Sequence, residues 1–238
     1  MSISLAIHHR LLIMLALSAS LLPLTAIHLS WWLSSGAELI PHCNPYTQGC
    51  TTISAAGRAG QAFYLFKALM MPAAVVFALY WMALAVWLRL QLQARITAIA
   101  LMWLGGIAAS FLTLYTVYLG SDVAAFRIYR RVGASCFFGA SFLAEVLASA
   151  AIWRQRALIP GILPCLLLGL VLAQLALGLG SLPITLLTED PFKDAWENRI
   201  EWQFTLLMML FPAATIPLLA RLRVSVGLRD DQRPETSS

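Results

Sequence analysis

The chain has 238 residues, 60% of them hydrophobic and 11% charged, with a net charge of +5. A soluble domain carries about 25% charged residues and about 45–50% apolar ones, so this chain cannot coat a globular surface with ionised groups. A soluble globular protein, a disordered chain and a secreted disulfide scaffold are excluded. What remains is an all-α polytopic membrane protein, a single six-helix transmembrane domain over residues 1–238, in which charge is read by location because position decides its meaning.

A bilayer core about 30 Å thick takes about 20 mostly apolar residues per helix. Six stretches qualify: Leu11–Leu33, Ala62–Leu88, Ile96–Leu119, Val132–Trp153, Leu158–Leu182 and Ile200–Ala220. They are continuous apolar runs, not the alternating segments of a barrel. Arg10 and Ser18-Ala19-Ser20 at the first span have the outline of a signal peptide. The run continues through Trp32, though, well beyond a signal's short apolar region, and reads as a retained helix.

The first outer loop, Ser34 to Gln61, is the longest. Pro41, Asn44-Pro45 and Gly49 punctuate it with turns, and Cys43 and Cys50 close a small ring within it. On an oxidising face that pair reads as a disulfide. Thiol–disulfide carriers use Cys-x-x-Cys, which is absent. A metal trio of His42, Cys43 and Cys50 has no fourth ligand, so no metal is expected.

The second span carries Lys67 about a turn and a half from its outer end, within snorkelling reach of the interface. In the second outer loop, Gly120-Ser121-Asp122 is a helix cap, followed by Arg127, Arg130 and Arg131 before the fourth span. That span carries Glu145, about 20 Å below its outer end by helical rise. An ionisable group at such depth is costly and marks a functional site by default; Glu145 needs a partner, a proton or a water-filled pocket. Gly133, Ala140, Ser141, Ala144 and Ala148 let neighbours approach closely, which predicts a central fourth helix with Glu145 facing inward. Cys136 and Cys165 lie in spans and read as small apolar residues.

Only Arg154 to Ala157 separate the fourth and fifth spans, a tight hairpin. The fifth carries Gln174. In the third outer loop Asp190-Pro191 is a helix start, with Asp as N-cap and Pro at the first helical position. Phe192, Trp196 and Ile200 then repeat every four residues, so the sixth helix begins outside. Trp196 and Trp202 are expected in the aromatic belt, with Glu201 at the span's opening. The tail, 221–238, ends in a polar segment from Asp230 that reads as frayed.

The haem reading fails on residue supply, because His28 is the single span histidine and two axial histidines are not available inside; a retinal linkage to Lys67, so near a span end, is a weak signal. No cofactor is expected, and nothing points to nucleic acid. Inner-side cations are Arg10, Arg89, Arg95, Arg154, Arg156, Arg221, Arg223, Arg229 and Arg233. The opposite side has Arg58, Arg127, Arg130, Arg131, Lys193 and Arg199. The bias predicts both termini in the cytoplasm. Arginine outnumbers lysine 14 to 2, which points to a GC-rich bacterial genome and hence the plasma membrane.

Three segments together resemble a six-span family. It includes FGF-receptor-activating proteins, damage-regulated autophagy modulators, a yeast suppressor of phosphatidylinositol-kinase defects, and the post-GPI-attachment lipid-remodelling factor, the branch nearest in motif. Asn44-Pro45-Tyr46 leading to Ile53-Ser54-Ala55-Ala56-Gly57 is similar to the family's Tyr-x-Pro-x-Ile-Ser-Ala-Ala loop, without its central proline. Arg131-Val132-Gly133-Ala134-Ser135-Cys136-Phe137-Phe138 resembles the head of its fourth span, with Arg131 where a histidine is usual. Glu197-Asn198-Arg199-Ile200-Glu201-Trp202 resembles its acidic–aromatic opening of the sixth span, although Pro212 stands where the remodelling branch tends to have histidine.

The resemblance implies a lipid-related role, with membrane lipids as partners. The expected site is an outer-face cavity of Ser54, Lys67, Asp122, Arg131, Glu145, Glu201 and Trp202, in which Arg131 meets an anionic headgroup. Whether it catalyses stays open, since a hydrolase would have to use His42. The alternatives are a non-enzymatic membrane scaffold or regulator, and a small-molecule transporter. For the latter, Pro23, Pro72, Pro164 and Pro212 interrupt spans without forming the inverted repeat such proteins show.

Overall fold

A computed structural model describes residues 4–6, 9–120, 123–159, 161–187, 189–220 and 225–227. Asp122 and the end of the tail, 228–238, lie outside the described residues. Six long helices carry the six apolar stretches: α1 (His9–Gly36), α3 (Gly60–Gln91), α4 (Arg95–Tyr118), α5 (Ala124–Arg154), α6 (Leu163–Leu187) and α7 (Phe192–Ala214). Each is long and apolar enough to cross a membrane. Two one-turn helices complete the set, α2 (Ile53–Ala56) before α3 and α8 (Ile216–Leu219) after α7. Apart from a three-residue antiparallel pairing of Ser4–Ala6 with Ser225–Gly227, the fold is all-helical.

The long helices form a closed ring in chain order, each packing on the next and α7 returning to α1. The connections alternate between two ends. One end holds the 37–52 loop, α2 and the α4–α5 and α6–α7 links; the other holds the α3–α4 and α5–α6 links and α8. We call them the disulfide end and the far end.

Close approach is built in where glycine faces a neighbour. A Cβ on Gly133 of α5 would meet the Tyr115 backbone of α4 at 2.8 Å, and one on Gly105 of α4 would strike the Trp81 side chain of α3. The inner face of α5 is as expected, with Ala144, Ala148, Ser141 and Glu145 all buried. Toward the far end an aromatic core joins α3 to α7. There Trp81 stacks on Phe211 (5.9 Å separates Trp81 from Phe77), and Tyr80 Oη lies 3.2 Å from Thr215 Oγ1.

Three boundaries differ from the expectation. The fourth spanning helix, α5, begins at Ala124 and not near 132. The apolar run stops at Arg127, Arg130 and Arg131, but a helix satisfies its own backbone and can continue into the charged interface. The expected tight hairpin between spans four and five is instead a short 3-10 turn, Arg156–Leu158, and α6 starts at Leu163. Helix α7 starts at Phe192, with Pro191 in the N-cap position that the sequence assigns to Asp190.

Candidate functional site

The disulfide end is plugged by its longest loop. Cys43 and Cys50 are disulfide-bonded, with Cα atoms 6.5 Å apart, so neither thiol is open to a metal. The loop lies along α7, and its backbone carbonyls take hydrogen bonds from that helix: Asn198 Nδ2 to Gly49 O (2.8 Å), Trp202 Nε1 to Thr51 O (2.9 Å) and Gln203 Nε2 to Tyr46 O (2.9 Å). Gly49 has φ +66°, and a Cβ there would collide with Ala195 O, so only glycine fits this contact. Thr52 then caps α2 by accepting from Ala55 N (2.9 Å), and Ser34 of α1 donates to Ala56 O (2.7 Å). Ile53 and Ala56 are buried beneath the loop.

Tyr46 and Trp202 fasten the loop to α1. The Tyr46 hydroxyl donates to His28 Nε2 (2.8 Å), whose Nδ1–H is given to Leu24 O (2.7 Å). The three rings of His28, Tyr46 and Trp202 pack mutually within 5.9 Å. Burial pushes the Tyr46 phenol above its ordinary pKa. The loop's own histidine, His42, is exposed and joined through Nδ1 to Ser35 Oγ (2.6 Å).

Inside the ring, under α2, lies a small, partly open chamber of about 40 Å³, room for a few water molecules at most. Every spanning helix except α6 lines it. The walls are apolar, among them Ile27, Met70, Leu112 and Phe137, and the polar exceptions are Tyr115, Glu201 and Thr205. The Glu201 carboxylate accepts from the Ile53 backbone N–H. The Tyr115 hydroxyl bonds Ser54 and lies within electrostatic reach of Glu201, Arg130 and Arg58.

A second void opens sideways. It is a cleft of about 390 Å³ lined by Phe138 of α5, Ser181 of α6, and Glu197, Ile200, Glu201 and Phe204 of α7, a volume typical of small-molecule sites, which run about 300–1,000 Å³. Phe138 and Glu201 line both voids, so they form the wall between chamber and cleft.

The expected site residues therefore divide. Ser54 and Glu201 come together at Tyr115. Arg131 is exposed; on α5 it is its neighbour Arg130, one helical step around, whose charge reaches Tyr115, together with that of Arg58 from before α3. Lys67 is turned to the end of α4, where Nζ donates to Val117 O (3.0 Å) and sits 4.2 Å from the Phe63 ring centre. A cation at a helix C-terminus meets unsatisfied carbonyls. Trp202 is fully buried, an internal anchor and not part of an aromatic belt. The loop carbonyl that takes its N–H is what draws it inward. Glu145 is eight residues beyond Phe137 on α5, about 12 Å deeper, and bonds Gln174 (2.6 Å). Asp122 lies outside the described residues. Tyr115 carries no sequence signal for the site: a tyrosine near a span end has the ordinary look of an interfacial aromatic, and its position beside Ser54 depends on helix rotation.

No family model, no curated protein and no solved structure matches the chain. Fold and composition define its class, an integral membrane protein of six apolar helices with one disulfide.

Proposed function

We propose that the protein binds a membrane lipid from the side, through the cleft between α5, α6 and α7, with the lipid's polar part at Glu201, Tyr115 and Ser54. The observation that carries this is the shared wall: Phe138 and Glu201 separate an apolar, hydroxyl-trimmed chamber from an open cleft between α5, α6 and α7. A soluble ligand has no use for a lateral entrance among apolar helix faces, whereas a lipid reaches it by diffusing in its own leaflet. Binding is favoured over chemical modification because, among the described residues, neither void is lined by a histidine, which leaves the carboxylates Glu197 and Glu201 as the groups able to act as a base. The disulfide and the arginine bias both favour the disulfide end as the outer face, with the termini in the cytoplasm.

Native mass spectrometry of the full-length protein released from its own membrane tests the reading. The wild type should carry a lipid adduct that Phe138→Trp removes and Glu201→Gln weakens. A wild-type protein without adduct, whose thermal stability is also indifferent to added lipid, overturns the reading and leaves the scaffold.

A further inference from the structure

Ser141, Glu145 and Ser149 repeat every four residues along α5, and all are buried. They form one polar stripe against α6. Ser149 Oγ donates to Leu167 O (3.4 Å), and Glu145 Oε2 accepts from Gln174 Nε2 (2.6 Å). Three atoms of this seam are left over: Glu145 Oε1, Gln174 Oε1 and Ser141 Oγ are buried without a hydrogen-bond partner. The first two are oxygens of the same bonded pair, and both can accept. What the pair lacks is a hydrogen.

No described residue around the seam supplies a countercharge. From α3 comes Tyr80, within electrostatic reach of Glu145, with Lys67 and Arg89 at the helix ends. Helix α4 carries Arg95, Tyr115 and Tyr118 near its ends. Helix α6 offers Cys165, and α7 confines Lys193, Asp194, Glu197, Arg199 and Glu201 to its disulfide-end half. Among the described residues the ion pair is Lys193 with Glu197, far from the seam. An uncompensated carboxylate at bilayer depth is costly. A sodium ion would find three side-chain oxygens but no loosened carbonyls, because α5 and α6 run unbroken past the site, and sodium sites in membranes draw on unwound backbone.

We propose that Glu145 is a proton-binding residue of the membrane core and that its proton latches α5 to α6. A proton on Oε1 is donated to Gln174 Oε1 while Gln174 Nε2 donates to Oε2, closing a two-bond ring between acid and amide. When the proton leaves, one of the two bonds is lost, and the remaining carboxylate draws water into the seam and loosens α6. Helix α6 also carries Ser181 to the lateral cleft, seven residues or about 10 Å further along, so proton occupancy bears on the cleft's wall. The latch does not depend on the lipid reading and is tested without lipid.

Dicyclohexylcarbodiimide modifies protonated carboxyls in apolar surroundings. The purified full-length protein is treated from acid to alkaline pH, and adducts are located by peptide mass spectrometry. Glu145 should be modified at acid pH, with labelling falling about tenfold per pH unit above its midpoint and unaffected by sodium at fixed pH. In parallel, thiol labelling of Ser181→Cys should rise with pH relative to the same protein carrying Glu145→Gln, whose amide keeps the seam uncharged. Absence of the Glu145 adduct at acid pH overturns the proposal. So does protection by sodium, which would make the seam a metal-ion site, and so does a Ser181→Cys labelling ratio that ignores pH. The carbodiimide arm uses the unaltered protein and decides the proton site even if the cysteine variant does not fold.

Discussion

The disulfide-end half of α7 and the α5–α6 seam both hold polar side chains inside the fold, yet they settle them differently. On α7, Asn198, Trp202 and Gln203 each find a carbonyl of the stapled loop. At the seam, Glu145 and Gln174 find each other and still leave two oxygens over. The difference lies in what stands opposite. A loop has no ladder of its own, so its carbonyls are available and its backbone can adjust to meet a donor. Two helices in a membrane have already spent their backbone groups internally, so side chains can pair only with side chains, at whatever geometry the rigid axes allow. The loop-backed region is thus suited to holding a shape, and the seam to changing state.

Trp202→Ala breaks the first half of that comparison and should have the largest effect. It empties a fully buried site, unpacks His28 and Tyr46, and orphans the Thr51 carbonyl. Large aromatic deletions in cores cost about 3–5 kcal/mol, and thermal unfolding in detergent should show a loss of that size. A loss below about 1 kcal/mol would mean that the loop does not depend on α7.

The unequal legibility of the two regions has the same origin. Hydropathy locates the six helices, because a bilayer demands long apolar runs, and the depth of Glu145 follows from counting residues. Its partner does not. Helix α6 is Leu-rich on every side, so no polar face declares which way Gln174 turns. The disulfide of Cys43 and Cys50 is legible because its chemistry resides in the side chains. The bonds from Asn198 and Trp202 are not, because a carbonyl acceptor at Gly49 or Thr51 carries no signature of residue type. Ser54 and Glu201 both act on Tyr115, but Ser54 lines neither void, so the shared cavity the sequence predicts is not what joins them. Arg131 and Arg130 differ by a single helical step, and span boundaries alone cannot resolve a rotation of that size.

Gln174→Leu sharpens the second half. It removes the donor to Glu145 Oε2 while keeping a side chain of similar bulk on α6. Side-chain hydrogen bonds between membrane helices average about 0.6 kcal/mol and reach about 1.7, since separated helices in lipid also find partners. Unfolding in mixed micelles should therefore show a loss of about 1 kcal/mol at a pH where Glu145 holds its proton. A loss of about 3 kcal/mol or more would mean that the pair is held as a buried charge, contrary to the latch.

Tyr46→Phe is the mildest test, and its pH dependence carries the information. The substitution keeps the ring against His28 and Trp202 and removes the hydroxyl donated to His28 Nε2. Because burial raises the phenol's pKa in the folded state, the unfolded chain loses that proton first as pH rises. The contribution of Tyr46 is then fully present below the ordinary tyrosine value of 10.0 and fades as pH climbs from there through the raised folded value. Wild type should exceed Tyr46→Phe by about 1 kcal/mol near neutrality, the usual net worth of such a bond, and the gap in melting temperature should close in alkali. A gap that stays constant into the alkaline range would show that the Tyr46 hydroxyl is as well solvated in the folded protein as in the unfolded chain. The loop would then rest on α1 through ring packing and the Ser35–His42 bond, and on α7 through its bonds from Asn198, Arg199, Trp202 and Gln203.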